Sequence, residues 1–127
     1  QTKVAVENAD LGALRYLTNA KVRGAAKQTE ITANSGRFIM QGDTIDGTQT
    51  IISNQVPSNG GAGSNESTIL YGNFADLIVG MWGGLDLQVN PYSLDKSGAV
   101  RVTTFQDVDT AVRHPESFAA SKNVVTE

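Results

Sequence analysis

Hydrophobic and polar positions alternate with a period of two along much of the second half of the chain. Residues 85–90 (LDLQVN) place three apolar side chains on one side and three polar side chains on the other, which is the pattern of a half-exposed β-strand. Residues 99–105 (AVRVTTF) alternate in the same way, and the pattern loosens at residues 106–109 before it resumes at residues 111–112. This second segment predicts either one long bent strand or two short strands.

A continuous apolar run precedes the first alternating strand. Residues 77–82 (LIVGMW) carry no charge, as expected of a strand that is covered on both faces. The following Gly83-Gly84 is a two-residue turn signal, because both positions tolerate positive φ. We therefore predict a β-hairpin of sheet core, with one buried strand and one half-exposed strand. Trp82, the single tryptophan, is expected to anchor a core or an interface rather than to form a ligand platform.

Helical patterns occur near the start of the chain. Residues 4–11 predict one or two helical turns that end at Gly12. Residues 20–28 (AKVRGAAKQ) predict a longer helix, for which Asn19 is a suitable N-cap. Gly24 should weaken this helix by about 1 kcal/mol relative to alanine, unless a neighbour packs closely there.

Three further strands are predicted from short apolar or β-branched segments. They cover residues 13–18 (ALRYLT), 48–56 (TQTIISNQV, stopped by the following proline) and 68–71 (TILY). The resulting order of a helix, a strand, a helix and then several strands predicts an α+β fold. Its sheet should be mixed and mostly antiparallel, with few short helices, because no regular alternation of strands and helices is present.

Two segments between the strands have the composition of loops. Residues 29–47 are polar and rich in turn residues, with one apolar island at Phe38-Ile39-Met40, and predict a surface excursion held by that spot. Residues 58–67 (SNGGAGSNES) predict a flexible loop.

The length, net charge and cysteine content of the chain exclude several classes of protein. The chain has 127 residues, enough for one domain with a core, and its net charge of -3 disfavours a dedicated nucleic-acid binder. Because it has no cysteine, disulfides, thiolate metal sites and a cysteine nucleophile are excluded. No apolar run has the length of a membrane span, and the opening residues lack the apolar core of a signal peptide. The chain also lacks an initiator methionine, so we expect a piece of a longer protein.

Candidate catalytic residues are few. His114, the single histidine, lies near Glu116 and Ser117, but a catalytic histidine needs partners arranged in space. We interpret it as a surface or interface residue held by Pro115. With one histidine and no cysteine, a zinc site is not expected.

Other charged or glycine-rich segments are also better explained by structure. Asp43 and Asp46 lack the acidic spacing of a calcium loop, so we expect turns capped by their side chains. The glycines of residues 58–67 lack the lysine and the helix of a phosphate loop. A last cluster of charged residues should be solvated or paired by salt bridges, since nothing indicates a cleft around it. It comprises Asp107, Asp109, Arg113 and Glu116.

Several segments taken together resemble the C-terminal half of tailed-bacteriophage major capsid proteins, which have the Hong Kong 97-type fold. They are YLTNAKVRGAAK at residues 16–27, IISNQVPSN at 51–59, ILYGNFADLIVGMWGGLDLQVNPYS at 69–93 and VRVTTFQDVDTAVRHPESFAA at 100–120. Their order and spacing also match. One departure is Ala20, where the family often has a proline after the asparagine, but a helix can still begin there.

The resemblance implies a structural protein that self-assembles into capsomers of an icosahedral phage or prophage head. Residues 1–107 would form an axial-type domain, and residues 108–127 a returning strand and tail that run toward a peripheral domain. No catalysis, cofactor or metal is implied. The implied partners are copies of the same chain in pentamers and hexamers, with scaffold, protease or decoration proteins as further candidates. Packaged DNA would be contacted only indirectly, and no membrane is involved. The location would be the virion capsid, assembled in the cytoplasm of a bacterial host.

The same resemblance suggests where subunits meet. The loop at residues 58–67 occupies the position of a family loop that points toward the capsomer axis, and we expect it to contact neighbouring subunits. The residues predicted to make this contact are Asn59, Gly60, Gly61, Gly63 and Asn65.

Two alternatives remain from the residues alone. One is a small α+β module that binds a ligand or a host surface through the hairpin of Trp82. The other is a hydrolase fragment that uses His114 and Ser117.

Overall fold

The computed structural model describes residues 1–6 and 12–126. The chain forms two compact units, of which the first comprises Gln1–Asp76 and His114–Glu127 and the second comprises Leu77–Arg113. The helices and strands in chain order are α1 (Thr2–Val6), β1 (Leu14–Thr18), α2 (Ala20–Gln28), β2 (Met40–Gln41), β3 (Thr44–Ile45), β4 (Thr48–Ile52), β5 (Glu66–Asn73), β6 (Leu77–Asn90), β7 (Arg101–Val112) and β8 (Phe118–Val125). Short 3-10 turns lie at Phe74–Asp76, Asp95–Ser97 and Pro115–Ser117.

The first unit is built on a six-stranded sheet with the order β2-β3-β4-β1-β5-β8. Strands β1 and β4 are parallel, and the other neighbouring strands are antiparallel. The parallel pair is joined through α2 and the excursion that follows it, since parallel neighbours need a long connection. This arrangement confirms the predicted α+β class with a mixed, mostly antiparallel sheet. The predicted helix over residues 4–11 begins earlier, at Thr2, and its last part lies outside the described residues.

Helix α2 has the predicted bounds, and its start is fixed by Asn19. The Oδ1 atom of Asn19 accepts a hydrogen bond from the backbone N–H of Val22 at 3.0 Å, which satisfies one of the free donors of the first turn. Val22 and Ala26 are buried on the inner side of the helix. Among the described residues, none lies within 4 Å of a Cβ atom placed at Gly24, so none of them requires a glycine there.

The core of the first unit is small. Its buried side chains come from both helices, from β2 and β5, and from the segment after β4. The buried hydrophobic residues are Val4, Val22, Ala26, Met40, Val56 and Tyr71. Met40 is the anchor of the predicted surface excursion, because it is 2% exposed whereas Phe38 and Ile39 are more than a third exposed.

Two tight turns shape that excursion. Residues 42–43 join β2 to β3, and residues 46–47 join β3 to β4. Asp46 and Gly47 both have positive φ, at 49° and 73°, as a type I′ hairpin turn requires. The turns predicted at Asp43 and Asp46 are therefore present, but none of the described hydrogen bonds shows the expected capping by either carboxylate. The Asp43 carboxylate, however, pairs with Arg23 at 3.0 Å and Lys27 at 3.6 Å.

Strand β8 approaches β5 closely at Gly72. A Cβ atom at that position would lie 2.5 Å from the Ser117 carbonyl oxygen and 2.5 Å from the Phe118 ring. The ring of Phe118 packs edge-on against that of Phe74, with 5.6 Å between the centroids. Glycine is thus required because strand and ring occupy the space of a side chain.

The second unit is a two-stranded antiparallel ribbon formed by β6 and β7. Of the two alternatives predicted for residues 99–112, the structure has one long strand, β7, over Arg101–Val112. The predicted hairpin turn at Gly83-Gly84 is wrong. Strand β6 continues through both glycines, and its pairing with β7 shifts between Trp82 and Asp86. Gly83, with φ of 75°, lies in this bulge, where an irregular strand needs the same backbone freedom as a turn.

The predicted burial of residues 77–82 is also wrong for the chain as described. Ile78, Val79, Met81 and Trp82 are between 52% and 70% exposed. A continuous apolar run is typical of a strand that is covered on both faces. The run does not specify whether the cover comes from the same chain or from another one.

Candidate functional site

The loop predicted to meet other subunits is closed at its base by backbone pairing. Gly60 and Glu66 exchange two hydrogen bonds, of 2.7 and 3.1 Å. The Pro57 carbonyl oxygen accepts from the Thr68 N–H at 3.1 Å and from the Asn19 side-chain amide at 3.2 Å. The start of α2 therefore holds the chain at the entrance of the loop.

The loop ends earlier than predicted, because β5 begins at Glu66. Ser67 is 1% exposed, and its hydroxyl lies 3.0 Å from the hydroxyl of Thr126. The Asn65 carbonyl oxygen accepts from the Thr126 N–H at 2.8 Å. We name residues 58–65 the tip loop.

The tip loop exposes most of the predicted contact residues. Asn59, Gly60, Gly61 and Gly63 are exposed, and Asn65 is half-buried. Asn59 has a φ of 64°, and its Oδ1 accepts a hydrogen bond from Lys21 Nζ. These residues share one loop and carry no charge of their own, so the nearest charge that a neighbouring surface would meet at Asn59 is the Lys21 ammonium. Their role as subunit contacts stays a prediction.

The ribbon presents a second and larger surface. Residues that lie opposite each other in an antiparallel pair project to the same face, and the register pairs Leu77 with Val112, Met81 with Val108, and Val89 with Val102. In the bulge, three residues of β6 oppose one residue of β7. Because the excess is an even number, the same set of alternate side chains faces one side before and after the bulge. We name this side the apolar face, and it comprises Leu77, Val79, Met81, Leu87, Val89, Val102, Thr104, Val108, Thr110 and Val112.

The large hydrophobic members of the apolar face are all between 38% and 70% exposed. A two-stranded ribbon is marginally stable in water without further packing, and a continuous exposed apolar surface usually marks an interaction site. This surface was not predicted from the sequence, because residues 77–82 and 85–90 were expected to pair with each other in a hairpin. The alternation of apolar and polar residues in β6 matches that in β7, and pairing these two segments would have predicted the apolar face.

The opposite side of the ribbon is mixed in character, and we name it the mixed face. It carries Trp82, Asp86, Phe105, Asp107 and Asp109. The Trp82 ring lies back over Gly80, since a Cβ atom there would be 3.5 Å from the ring. Trp82 is 56% exposed, so within the described chain it is not a core residue.

The proposed hydrolase pair does not form. Ser117 is buried, and its Oγ donates a 2.7 Å hydrogen bond to Asp76 Oδ2 rather than to a histidine. His114 is exposed and contributes its backbone carbonyl oxygen to the Ser117 N–H at 3.1 Å. Ser117 therefore connects the start of β8 to the 3-10 turn that follows β5.

The four residues of the predicted charged cluster make no salt bridge within the part of the chain that the structure describes. Asp107 and Asp109 lie on the exposed mixed face, whereas Arg113 and Glu116 follow β7 and are exposed. Over residues 1–6 and 12–126, no three histidine, cysteine or acidic side chains are grouped as a metal site would need. The helices within these same ranges are too short or too polar to cross a membrane.

The phenol of Tyr16 has a raised pKa. Tyr16 packs against Tyr71, with 4.7 Å between ring centroids. Burial raises the pKa of Tyr16, and the negative charges of ionised Tyr71 and of Asp46 raise it further, against the opposing effect of a hydrogen bond with Gln1. This pair joins β1 to β5 and belongs to the sheet interior rather than to a site.

Comparisons with known proteins match almost the whole chain. The model of the phage capsid family matches residues 2–123. A protein named "Major capsid protein" from Halomonas phage phiHAP-1 is 30% identical over 125 residues, which are 98% of this chain and 19% of that protein. The chain thus spans about a fifth of the length of this relative.

A solved structure has the same fold. It is described as "Capsid of empty GTA particle computed with C5 symmetry", and it superposes with a TM-score of 0.64 at 18% sequence identity. The superposition covers 98% of this chain and 45% of that one.

Proposed function

Because this chain belongs to the phage capsid family, we propose that it forms part of a major capsid protein whose copies assemble into the shell of a phage or prophage head. Its role is structural rather than enzymatic, and its location is the virion capsid. The relative from Halomonas phage phiHAP-1 bears the name of that function, and the related solved chain forms a capsid computed with C5 symmetry. Both point to copies of the chain as its main partners.

The observation that carries this proposal is the apolar face of the ribbon. Val79, Met81 and Val108 are each more than half exposed in the described chain. At about 25 cal/mol per Å² of apolar surface, covering such a face would stabilise the ribbon by several kcal/mol. A shell-forming subunit meets other polypeptide surfaces on many sides, so assembly supplies a reason for an apolar face that a free monomer does not.

A finer assignment follows the resemblance described above. Residues 1–107 form the axial-type domain of the subunit, and residues 108–127 run back toward its peripheral domain. Residue 108 lies within β7, and the compact units of the described chain divide instead at residues 76–77 and 113–114. The tip loop is directed to the capsomer axis, where cyclic symmetry brings identical loops together. Pentamers and hexamers are the expected rings.

Electron microscopy of the complete capsid polypeptide that contains this chain tests the proposal. The protein is produced in bacteria, alone and with a scaffold protein from the same genome, and is examined by negative staining. We expect closed shells, or rings of five and six, in at least one of the two preparations. Uniform monomers in both preparations would contradict the proposed function.

A matched pair of variants tests the apolar face within that polypeptide. Met81→Glu places a charge on the apolar face, where covering it would leave the charge unpaired. Gln88→Glu places the same charge on the mixed face. We expect Met81→Glu to abolish or strongly reduce shells and Gln88→Glu to retain them, with both proteins folded by circular dichroism. Equal shell yields would show that the apolar face is not covered on assembly.

A further inference from the structure

Asn59 and Gly60 form the single Asn-Gly pair in the sequence. In such a pair the backbone nitrogen of the glycine can reach the side-chain amide carbon of the asparagine, because glycine has no Cβ atom to obstruct the approach. Both residues are exposed in the tip loop. Water and hydroxide can therefore reach the loop at these two residues.

Lys21 adds a second feature to this site. Its Nζ donates a hydrogen bond to Asn59 Oδ1, so the ammonium group polarises the amide carbonyl. When a nucleophile adds to the carbonyl carbon, negative charge develops on this oxygen, and a nearby cation stabilises it. The backbone of Asn59 is held at a φ of 64°, a region that asparagine adopts more readily than most residues.

One contact opposes the reaction. The Gly60 N–H donates a 2.7 Å hydrogen bond to the Glu66 carbonyl oxygen, and the nitrogen must leave this bond before it can attack. The bridge pairs Gly60 with Glu66, the first residue of β5, and it is a single bridge rather than part of a longer ladder. Short exposed pairings of this kind open locally far more often than the whole fold unfolds, so the bridge slows the reaction without preventing it.

We propose that Asn59 is a site of spontaneous deamidation assisted by Lys21. The deprotonated backbone nitrogen of Gly60 forms a bond to Asn59 Cγ, and the bond from Cγ to the side-chain nitrogen breaks. Ammonia leaves with the proton taken from solvent, and a five-membered succinimide remains. Water then opens either ring carbonyl, which yields aspartate or isoaspartate. No oxidant, reductant or cofactor is required.

The product changes the tip loop. Each reacted chain carries one more negative charge, so its formal net charge moves from -3 to -4. The new carboxylate forms an ion pair with Lys21 at the position of the former hydrogen bond. Isoaspartate also lengthens the backbone by one atom, which alters the path of the loop at its exposed end.

Peptide mapping by mass spectrometry of the incubated chain tests the proposal. Samples of residues 1–127 are held at mildly alkaline pH, and the exchange of –NH₂ for –OH is followed at each asparagine over time. Asn34 is the internal reference, because it is exposed and has a φ of 60° but is followed by serine. We expect Asn59 to react several-fold faster than Asn34, with a rate that rises with pH. Equal or slower reaction at Asn59 would overturn the proposal.

Three variants separate the contribution of Gly60 to the deamidation rate from that of Lys21. Gly60→Ala should slow the reaction several-fold, because the new methyl group obstructs the approach of the nitrogen. Lys21→Met should also slow it, whereas Lys21→Arg should retain most of the rate because the positive charge remains. All three are checked for native circular dichroism. A rate unchanged by Gly60→Ala would exclude the succinimide route, and a rate unchanged by Lys21→Met would remove the assigned role of Lys21.

Discussion

The side chain of Asn19 joins the start of α2 to the backbone of Pro57. Its Oδ1 accepts from the Val22 N–H at 3.0 Å, and its Nδ2 donates to the Pro57 carbonyl oxygen at 3.2 Å. One buried amide thus caps a helix and fixes the entrance of the tip loop, 38 residues away along the chain. The amide supplies both a hydrogen-bond acceptor and a donor, and no other side chain of this size provides both in the same positions.

Replacing Asn19 should therefore destabilise the first unit. We expect Asn19→Ala to lower the free energy of unfolding by about 1–3 kcal/mol, because the cap and a buried hydrogen bond are both lost. Asn19→Asp keeps the acceptor that caps the helix but loses the donor to Pro57. It therefore separates the loss of the cap from the loss of the hydrogen bond to Pro57. Urea denaturation followed by circular dichroism measures both. Gln28→Ala, at the exposed end of α2, is the control and should change stability by less than about 0.5 kcal/mol.

Gly72→Ala should destabilise the chain by displacing β8. The added methyl group would lie 2.5 Å from both the Ser117 carbonyl oxygen and the Phe118 ring. Overpacking of this kind costs about 1–3 kcal/mol, and here one of the two obstructing groups is backbone. The midpoint of urea unfolding measures the loss. A midpoint equal to that of the unmodified chain would show that β8 can move away without cost.

Gly24→Ala should have the opposite effect. No described residue lies within 4 Å of a Cβ atom placed at Gly24, and the residue lies in the interior of α2. Alanine reduces the conformational freedom of the unfolded chain and favours the helix, so we expect a gain of about 0.5–1 kcal/mol. The same urea titration measures this gain in stability. A loss of stability would show that the added methyl group meets a close neighbour.

Local chemistry in the sequence was sufficient to predict α2. Its apolar spacing, the N-cap at Asn19 and the absence of proline within it all favour the same element, and the structure has the same bounds. Strands β1 and β4 were predicted for similar reasons, within one to four residues of their ends. The resemblance added what these patterns could not, namely the family to which the chain belongs.

The ribbon could not be predicted in the same way, because its pairing is non-local. Gly83 and Gly84 signal backbone freedom, and that freedom serves a bulge as well as a tight turn. The true turn follows Asn90, whose Oδ1 accepts from the N–H groups of Tyr92 at 2.9 Å and Ser93 at 3.1 Å. Hydrophobicity also indicates that a strand will be covered, but it does not say which polypeptide covers it.

The raised pKa of Tyr16 predicts a loss of stability at alkaline pH. Burial is the main cause, followed by the charges of ionised Tyr71 and of Asp46. The folded chain holds the phenol proton more tightly than the unfolded chain does. The stabilisation is therefore complete below the ordinary value of 10.0 and is lost as the pH rises through the folded pKa.

Urea denaturation at several pH values on both sides of 10.0 measures this loss. The variant Tyr16→Phe removes the ionisable group while it retains most of the ring packing. We expect its stability to fall less steeply over the same range than that of the unmodified chain. Identical slopes for the two proteins would assign the alkaline loss to other groups.

The tip loop should matter to assembly more than to folding. Ala62 is exposed within the loop, and none of the described hydrogen bonds involves its backbone or side chain. Ala62→Arg therefore adds bulk and charge without disturbing the bridge between Gly60 and Glu66. We expect the thermal midpoint of residues 1–127 to be unchanged, whereas shell yield from the complete capsid polypeptide falls severalfold. Gln28→Arg adds the same group to an exposed helix end and should leave the yield unaltered. Normal yield from Ala62→Arg would mean that the tip loop does not meet its neighbours around the capsomer axis.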